Sequence, residues 1–327
     1  MNILITGSSG FIGFHMAKRL LEKNVKVVGI DNHNDYYDPK LKEARLMQLK
    51  QYSNFSFHKI DIVDKPRLNS LFKNENFDYV IHLAAQAGVR YSIDNPDAYT
   101  QSNLVGFMNI LEACRRFPVK HLLYASSSSV YGGNTKVPFS VKDNVDHPVS
   151  LYAATKKANE LLAHSYAHLY QIPMTGLRFF TVYGPYGRPD MAYYSFTQAI
   201  INQTPIQVFN HGNLERDFTY IADIIESIER LIPLAPTDNL EAPHQVFNIG
   251  NNHPVSLMVF IETLEQCLGK KAIKNYVDMQ QGDVLKTWAD IEELYKKVNF
   301  KPNIELKEGL EKFVNWYKIY YKEEEGM

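Results

Sequence analysis

The stretch Thr6-Gly7-Ser8-Ser9-Gly10-Phe11-Ile12-Gly13 constrains this chain more than any other. It follows the apolar run Ile3-Leu4-Ile5 and opens an amphipathic segment, which predicts a strand, a tight turn and a helix in direct succession. Gly7 permits the turn, Gly10 lets backbone approach a ligand, and Gly13 lets the helix lie against the strand. Amides at such a helix start, with the positive end of its dipole, hold phosphates. Asp31 closes the next apolar run. A carboxylate there accepts hydrogen bonds from a ribose 2′-hydroxyl and repels a 2′-phosphate, so the expected occupant is NAD rather than NADP.

The rest of the first half keeps the rhythm that this loop begins. Apolar runs near 3–6, 25–30, 55–60, 79–83, 121–125 and 174–179 read as strands, several of them apolar enough to be covered on both faces. Helices are expected near 11–23, 40–50, 65–74, 97–116 and 150–170. Strand and helix in alternation give an α/β fold, a doubly wound, Rossmann-like parallel sheet. After about residue 180 turn signals crowd together at Gly184-Pro185, Gly187-Arg188-Pro189 and His211-Gly212-Asn213. Short strands near 206–209, 245–249 and 273–277 alternate there with helices near 192–202, 221–231, 256–267 and 306–321. The division expected is an NAD-binding domain over 1–179, with a returning segment near 215–250, and a smaller α/β lobe over 180–327. The acidic Glu323-Glu324-Glu325 reads as a solvated end.

A formal net charge of -1 gives no basic face for nucleic acid. Cys114 and Cys267 match no metal-ligand spacing and read as free thiols in a reducing compartment; no metal is expected. No run has the length of a membrane span or the pattern of a secretory leader, so no membrane insertion and a cytoplasmic location are expected.

Tyr152 and Lys156 stand four apart on a predicted helix and project from one face, with Ser150 as its N-cap. A phenol has a reference pKa of about 10 and needs a neighbouring cation to serve as a base near neutrality. Such pairs are common on helices. The set Ser126-Ser127-Ser128-Ser129-Val130-Tyr131-Gly132, at the carboxyl end of the fifth strand, adds four hydroxyls where open α/β sheets bind ligands. Asp61-Ile62 after the third strand could bond and cover an adenine, or simply cap a helix. Leu83-Ala84-Ala85 after the fourth offers small residues where backbone passes a ligand, or plain close packing.

Together the glycine loop, the serine run, Tyr152-x-x-x-Lys156, Leu177-Arg178-Phe179-Phe180, Arg216-Asp217-Phe218 and Asn248-Ile249-Gly250 resemble the extended short-chain dehydrogenase/reductase family over nearly the whole chain. Within it the chain is similar to UDP-glucuronate 4-epimerases, through Asp31-Asn32-His33-Asn34-Asp35-Tyr36-Tyr37, Ala87-Gly88-Val89-Arg90, Thr181-Val182-Tyr183-Gly184-Pro185 and Arg188-Pro189-Asp190-Met191-Ala192. The resemblance implies that Tyr152 takes a proton from the sugar C4 hydroxyl while hydride passes to a tightly held NAD that is regenerated each cycle. It implies Ser127 as a hydrogen-bonding partner of the sugar and Lys156 as a ribose contact that tunes Tyr152. It adds Phe11, Ile12, Asn32 and Asn103 to the cofactor contacts. It gives Ser128, Ser129, Thr181 and Arg90 to the substrate, Arg216 to its diphosphate, and Arg188 and Asp283 to the uridine end, with a surface salt bridge as the rival reading of Arg188. Gln281 stands where the family more often has proline, which loosens those last assignments. The family also pairs helices like 97–116 and 150–170 into a homodimer, which is expected here, with service to the core as the other reading of their apolar stripes.

Dehydratases and decarboxylases of the family carry a carboxylate within the serine motif, and Ser127-Ser128-Ser129 contains none. Two other readings stay open: a 4-epimerase of neutral UDP-sugars, and a non-catalytic NAD-binding scaffold. Oxidising C4 of a glucuronate makes a β-keto acid prone to lose carbon dioxide. The hypothesis drawn from the hydroxyl cluster is that Ser127, Ser128 and Thr181 hold the carboxylate with neutral donors and limit that loss. Thr181→Val should then weaken binding of the acid or raise the pentose by-product, measured by NMR of the products; a variant unchanged in both would remove Thr181 from this role.

Overall fold

A computed structural model describes residues 1–236, 241–280 and 282–325, without the side chains of 323–325; Gln281 and the acidic Glu323-Glu324-Glu325 group therefore lie outside the described set. Twelve strands are present among these residues: β1 (Asn2–Thr6), β2 (Lys26–Asp31), β3 (Phe55–Lys59), β4 (Tyr79–His82), β5 (His121–Ser127), β6 (Met174–Phe179), β7 (Thr181–Tyr183), β8 (Pro205–Val208), β9 (Glu215–Tyr220), β10 (His244–Ile249), β11 (Pro254–Ser256) and β12 (Ile273–Tyr276). Seven form one sheet in the order β10-β6-β5-β4-β1-β2-β3, and every pairing within it is parallel. The order reverses between β1 and β4, so the loops after these strands part and leave a crevice at the carboxyl edge.

Strand alternation explains why the sheet is apolar on both sides. Ile3 and Ile5 join one buried cluster with Val27, Ile81, Leu123 and Leu177. Leu4 joins the opposite one with Val28, Val80, Leu122 and Met174. Each such side chain, fully buried, contributes on the order of 1.5–3 kcal/mol over exposure. Phe11–Glu22 covers the first face through Phe14, Met16, Ala17, Leu20 and Leu21.

The glycine loop is as tight as its sequence implies. Gly7 has φ +70, and a Cβ on Gly13 would sit 2.1 Å from the Gly7 carbonyl oxygen. Thr6 fixes the neighbouring loop: its hydroxyl accepts from the amides of Leu83 (3.1 Å) and Ala84 (3.0 Å) while bonding His82 Nδ1 at 2.8 Å.

Three features depart from the sequence reading. The helix expected over 97–116 contains a π-helical turn, Thr100–Gly106, between Pro96–Tyr99 and Phe107–Arg116. The wide turn lets Asn103 reach backwards, as described below. Strands β7, β9 and β11 form a separate three-stranded sheet in the order β11-β9-β7 that sequence reading did not find. They are short, and β9 starts with Glu215-Arg216-Asp217, a charged run that carries no strand signal. Finally, Glu292–Val298 is a helix where none was expected.

Candidate active site

A cleft of about 430 Å³ opens at the carboxyl edge of the large sheet and runs to the small one. Its wall includes Gly7, Gly10, Phe11, Ile12, Gly13, Asp31, Asn32, Asp61, Ile62, Leu83, Ala84, Ala85, Ser127, Ser128, Ser129, Tyr152, Lys156, Thr181, Arg188, Arg216 and Asp283. Two expected contacts are not on this wall. Asn103 is buried behind it: its carbonyl oxygen accepts from the Gln86 amide at 2.8 Å, and its amide donates to the Gln86 carbonyl and to Thr155. It ties down the loop after β4. Arg90 packs its guanidinium over Phe209, 4.9 Å from the ring centroid, and starts the short helix Tyr91–Asp94.

The cofactor end fits a dinucleotide. A Cβ on Gly7 would lie 2.8 Å from the Ala84 amide nitrogen, so two backbone loops converge where side chains cannot enter. Asp31 is oriented by amides, Ser9 at 3.2 Å and His33 at 2.9 Å. Asp61 accepts from the Val63 amide at 3.0 Å and from Asn32 Nδ2 at 2.9 Å, while the cap of the helix that follows, Lys65–Glu75, is Asp64 rather than Asp61. Lys42, unforeseen in the sequence, lines the same end and donates to the Asn34 carbonyl at 2.7 Å. Its only sequence signal was a cation one turn into the helix that follows Asp31.

At the reactive end, Leu151–Tyr170 starts at Ser150, whose hydroxyl caps the Ala153 amide at 3.1 Å. Tyr152, the second residue of this helix, faces the cleft, and one turn on Lys156 lies buried, its ammonium donating to the Ala125 carbonyl at 2.9 Å. The ammonium sits 6.0 Å from the centroid of the phenol ring. Burial raises the Tyr152 phenol above its ordinary value, opposed by a hydrogen bond to Ser127 and the charge of Arg188. Burial also pushes the Lys156 ammonium down to about 8. Without a further charge in the cleft this phenol therefore stays protonated at neutrality.

One turn further, Glu160 ties this helix to the serine run. Ser126 donates to Glu160 at 2.6 Å, and Arg178 grips both of its oxygens at 2.8 Å. Arg178 also bonds Tyr131, which donates to Asn248 at 2.6 Å. Both partners of the Glu160–Arg178 pair are 5% exposed or less, so losing either would strand a buried charge at a cost of roughly 3–5 kcal/mol. Eighteen residues separate them, and nothing in the sequence linked the two.

Two more arginines line the cleft. Arg188 donates to both oxygens of Asp190, which also accepts from Tyr36 at 3.2 Å. Arg216 pairs with Asp283 at 2.6 Å, joining two residues that the sequence assigned separately. Next to Arg216, Asp217 is fully buried and accepts from the amides of Asn251 and Ala289; burial raises its pKa to about 6.

A family model described as GDP-mannose 4,6 dehydratase matches residues 4–313. Protein CapI of Staphylococcus aureus is 54% identical over 334 residues, covering 98% of this chain and 100% of that protein. A protein named probable UDP-glucuronate 4-epimerase, from Rhizobium meliloti, is 48% identical, covering 98% of each. Among solved structures, the UDP-glucuronic acid 4-epimerase of Bacillus cereus in complex with UDP-glucuronic acid and NAD superposes with a TM-score of 0.90 at 35% identity, over 98% of this chain and 100% of that one.

The depressed lysine has a stability consequence with a definite sign. The folded chain releases the Lys156 proton near pH 8, the unfolded chain near 10.5. Between these values the unfolded state holds more protons, so this group makes stability rise with pH, and below 8 its charge is a standing cost. Lys156→Met should therefore raise the melting temperature of dinucleotide-free protein at pH 7 by roughly 3 °C. The advantage should vanish by pH 10.5. A variant that melts lower at pH 7 would mean that the bond to Ala125 outweighs the burial of charge.

Proposed function

The chain belongs to the GDP-mannose 4,6-dehydratase family of extended short-chain dehydrogenase/reductases, and we propose that it is an NAD-dependent UDP-glucuronate 4-epimerase yielding UDP-galacturonate. The observation that carries the reading is a cleft in which a phenol and three serine hydroxyls share walls with a dinucleotide loop, while the serine segment offers no carboxylate. Carboxylates do line the cleft at Asp31, Asp61 and Asp283, but Asp31 and Asp61 belong to the cofactor end and Asp283 to Arg216. The elimination performed by dehydratases needs an acid and a base beside the sugar. Reversible oxidation needs only proton transfer at one oxygen.

Tyr152 takes the proton of the C4 hydroxyl, with Ser127 sharing the hydrogen bond to that oxygen. When bound, NAD supplies the acceptor for the C4 hydride and gives it back. The transient 4-keto sugar turns in the cleft, and Tyr152 returns its proton to the same oxygen once the opposite face is presented. Ser127, Ser128 and Thr181 offer neutral donors to the carboxylate. The charge of Arg188 is committed to Asp190, which keeps it from drawing the carboxylate away from them. Arg216 holds the diphosphate, an anion suited to a guanidinium fork, and Gly7, Gly10, Gly13, Asp31 and Asp61 hold the dinucleotide. In this reading residues 1–179 together with the returning segment near 215–250 serve the cofactor, and most of 180–327 serves the nucleotide sugar.

We place the enzyme in the cytoplasm as a homodimer. Among the described residues no helix is long and apolar enough to cross a membrane. Leu161, Leu169 and Tyr170 on one helix and Val105 on its neighbour are exposed apolar side chains of the kind that a second copy would cover. Light scattering should give twice the chain mass of 37.6 kDa, and a monomer at micromolar concentration would refute the assembly.

Purified protein given UDP-glucuronate without added oxidant should form UDP-galacturonate, identified by NMR. Tyr152→Phe should abolish turnover, by at least roughly 100-fold, while keeping its NAD. Faster turnover of neutral UDP-sugars at equal concentration would instead favour the neutral-sugar epimerase, and an active Phe variant would exclude this phenol as the base.

A further inference from the structure

Arg45 is 0% exposed, and every acceptor bonded to it is a neutral oxygen. Its guanidinium donates to the Ser9 carbonyl of the glycine loop at 2.9 Å and to the Tyr37 hydroxyl at 2.7 Å. On the other side it donates to the Tyr186 carbonyl twice, at 3.1 and 2.6 Å, and to the Gly187 carbonyl at 3.1 Å. One planar fork thus spans the cofactor loop and the two residues that precede Arg188. Desolvating a charge without a counter-charge is expensive, so retaining one here needs a reason beyond packing.

The far side of the fork is strained. Tyr186 has φ +58, a left-handed conformation that side-chain-bearing residues rarely adopt. Its carbonyl is the one that Arg45 holds with two bonds. The next residue cannot drift, because a Cβ on Gly187 would meet the Tyr193 hydroxyl at 2.0 Å, and that hydroxyl accepts from the Arg188 amide at 3.1 Å. A second tie runs from the glycine-loop helix: half-buried His15, pushed down to about 4 by desolvation and so neutral, donates to the Pro185 carbonyl at 2.8 Å. Phe14 of the same helix packs on Tyr186 with ring centroids 5.0 Å apart.

We propose that Arg45 is a positioning residue that couples the two halves of the cleft, so that a dinucleotide on the glycine loop and a uridine diphosphate on the Arg188 side each tighten the binding of the other. The inference rests on the proposed UDP-sugar reading of the cleft. An occupant that orders the Ser9 carbonyl fixes the plane of the guanidinium, and through it the strained Tyr186 peptide and the start of Arg188. The reverse holds equally, since coupling between two binding sites is reciprocal. Lysine cannot replace this fork: its ammonium is a point charge and cannot address three separated carbonyls in one plane.

The test measures NAD dissociation by dilution of the holoenzyme, with and without saturating UDP. In the native protein UDP should lower the NAD dissociation constant about tenfold, within the usual range of coupling between sites. In Arg45→Lys the effect should fall to about twofold or less, although UDP itself still binds. A purely structural Arg45 would lower the melting temperature and leave the tenfold effect intact, which overturns the proposal, as does a native protein in which UDP leaves NAD affinity unchanged. A native protein that fails to bind UDP at all sinks the substrate reading and this inference with it. Should Arg45→Lys not fold, hydrogen exchange of native residues 185–190 decides: protection by NAD alone supports the coupling, and unchanged exchange rejects it.

Discussion

The approach of Gly13 to the Gly7 carbonyl governs the rest of this structure. A methyl group there would stand 2.1 Å from an oxygen, so only a glycine lets the first helix start directly behind the first strand. That closeness sets where the helix amides emerge, which loops can cross above them, and how near Leu83-Ala84 comes. The dinucleotide end of the cleft follows from it, and the remaining chemistry is arranged around that fixed point.

The reactive end works by subtraction of charge as much as by its placement. The nearby ionic groups are neutralised in pairs: Arg178 by Glu160, Arg188 by Asp190, Arg216 by Asp283. What remains on the cleft wall there is a phenol, a set of hydroxyls and one ammonium whose pKa burial lowers. A site of this kind moves protons without offering an acid to a leaving group, which separates epimerisation from the elimination for which the family is named.

Much of this was legible in the sequence because burial on both sides of a parallel sheet leaves long apolar runs, and because the glycine spacing admits few geometries. The six strands of the first half, the helix that begins at Ser150, and most of the cleft wall follow from those two signals. Other parts left no trace. Strands β7 and β11 have three residues each, too few to show a period, and Asp217 breaks the pattern of β9. Arg45 reads in the sequence as one more cation on an amphipathic helix. Only the fold brings it against carbonyls 36 and 141–142 positions away. The bonds of Asn103 to the Gln86 backbone, made from within the π-turn, left no mark in the spacing either.

Strand β10 pairs with β6 at the edge of the large sheet, although the chain has by then already built β7 and β9 of the three-stranded sheet. The polypeptide therefore crosses between the two regions more than once, and neither can be cut out as a continuous fragment without leaving the other a raw edge. Lineages that change the sugar carrier cannot do so by exchanging a terminal cassette. They must alter individual side chains along the cleft while the backbone that holds the dinucleotide stays in place, which ties variation in substrate to point substitution rather than to recombination.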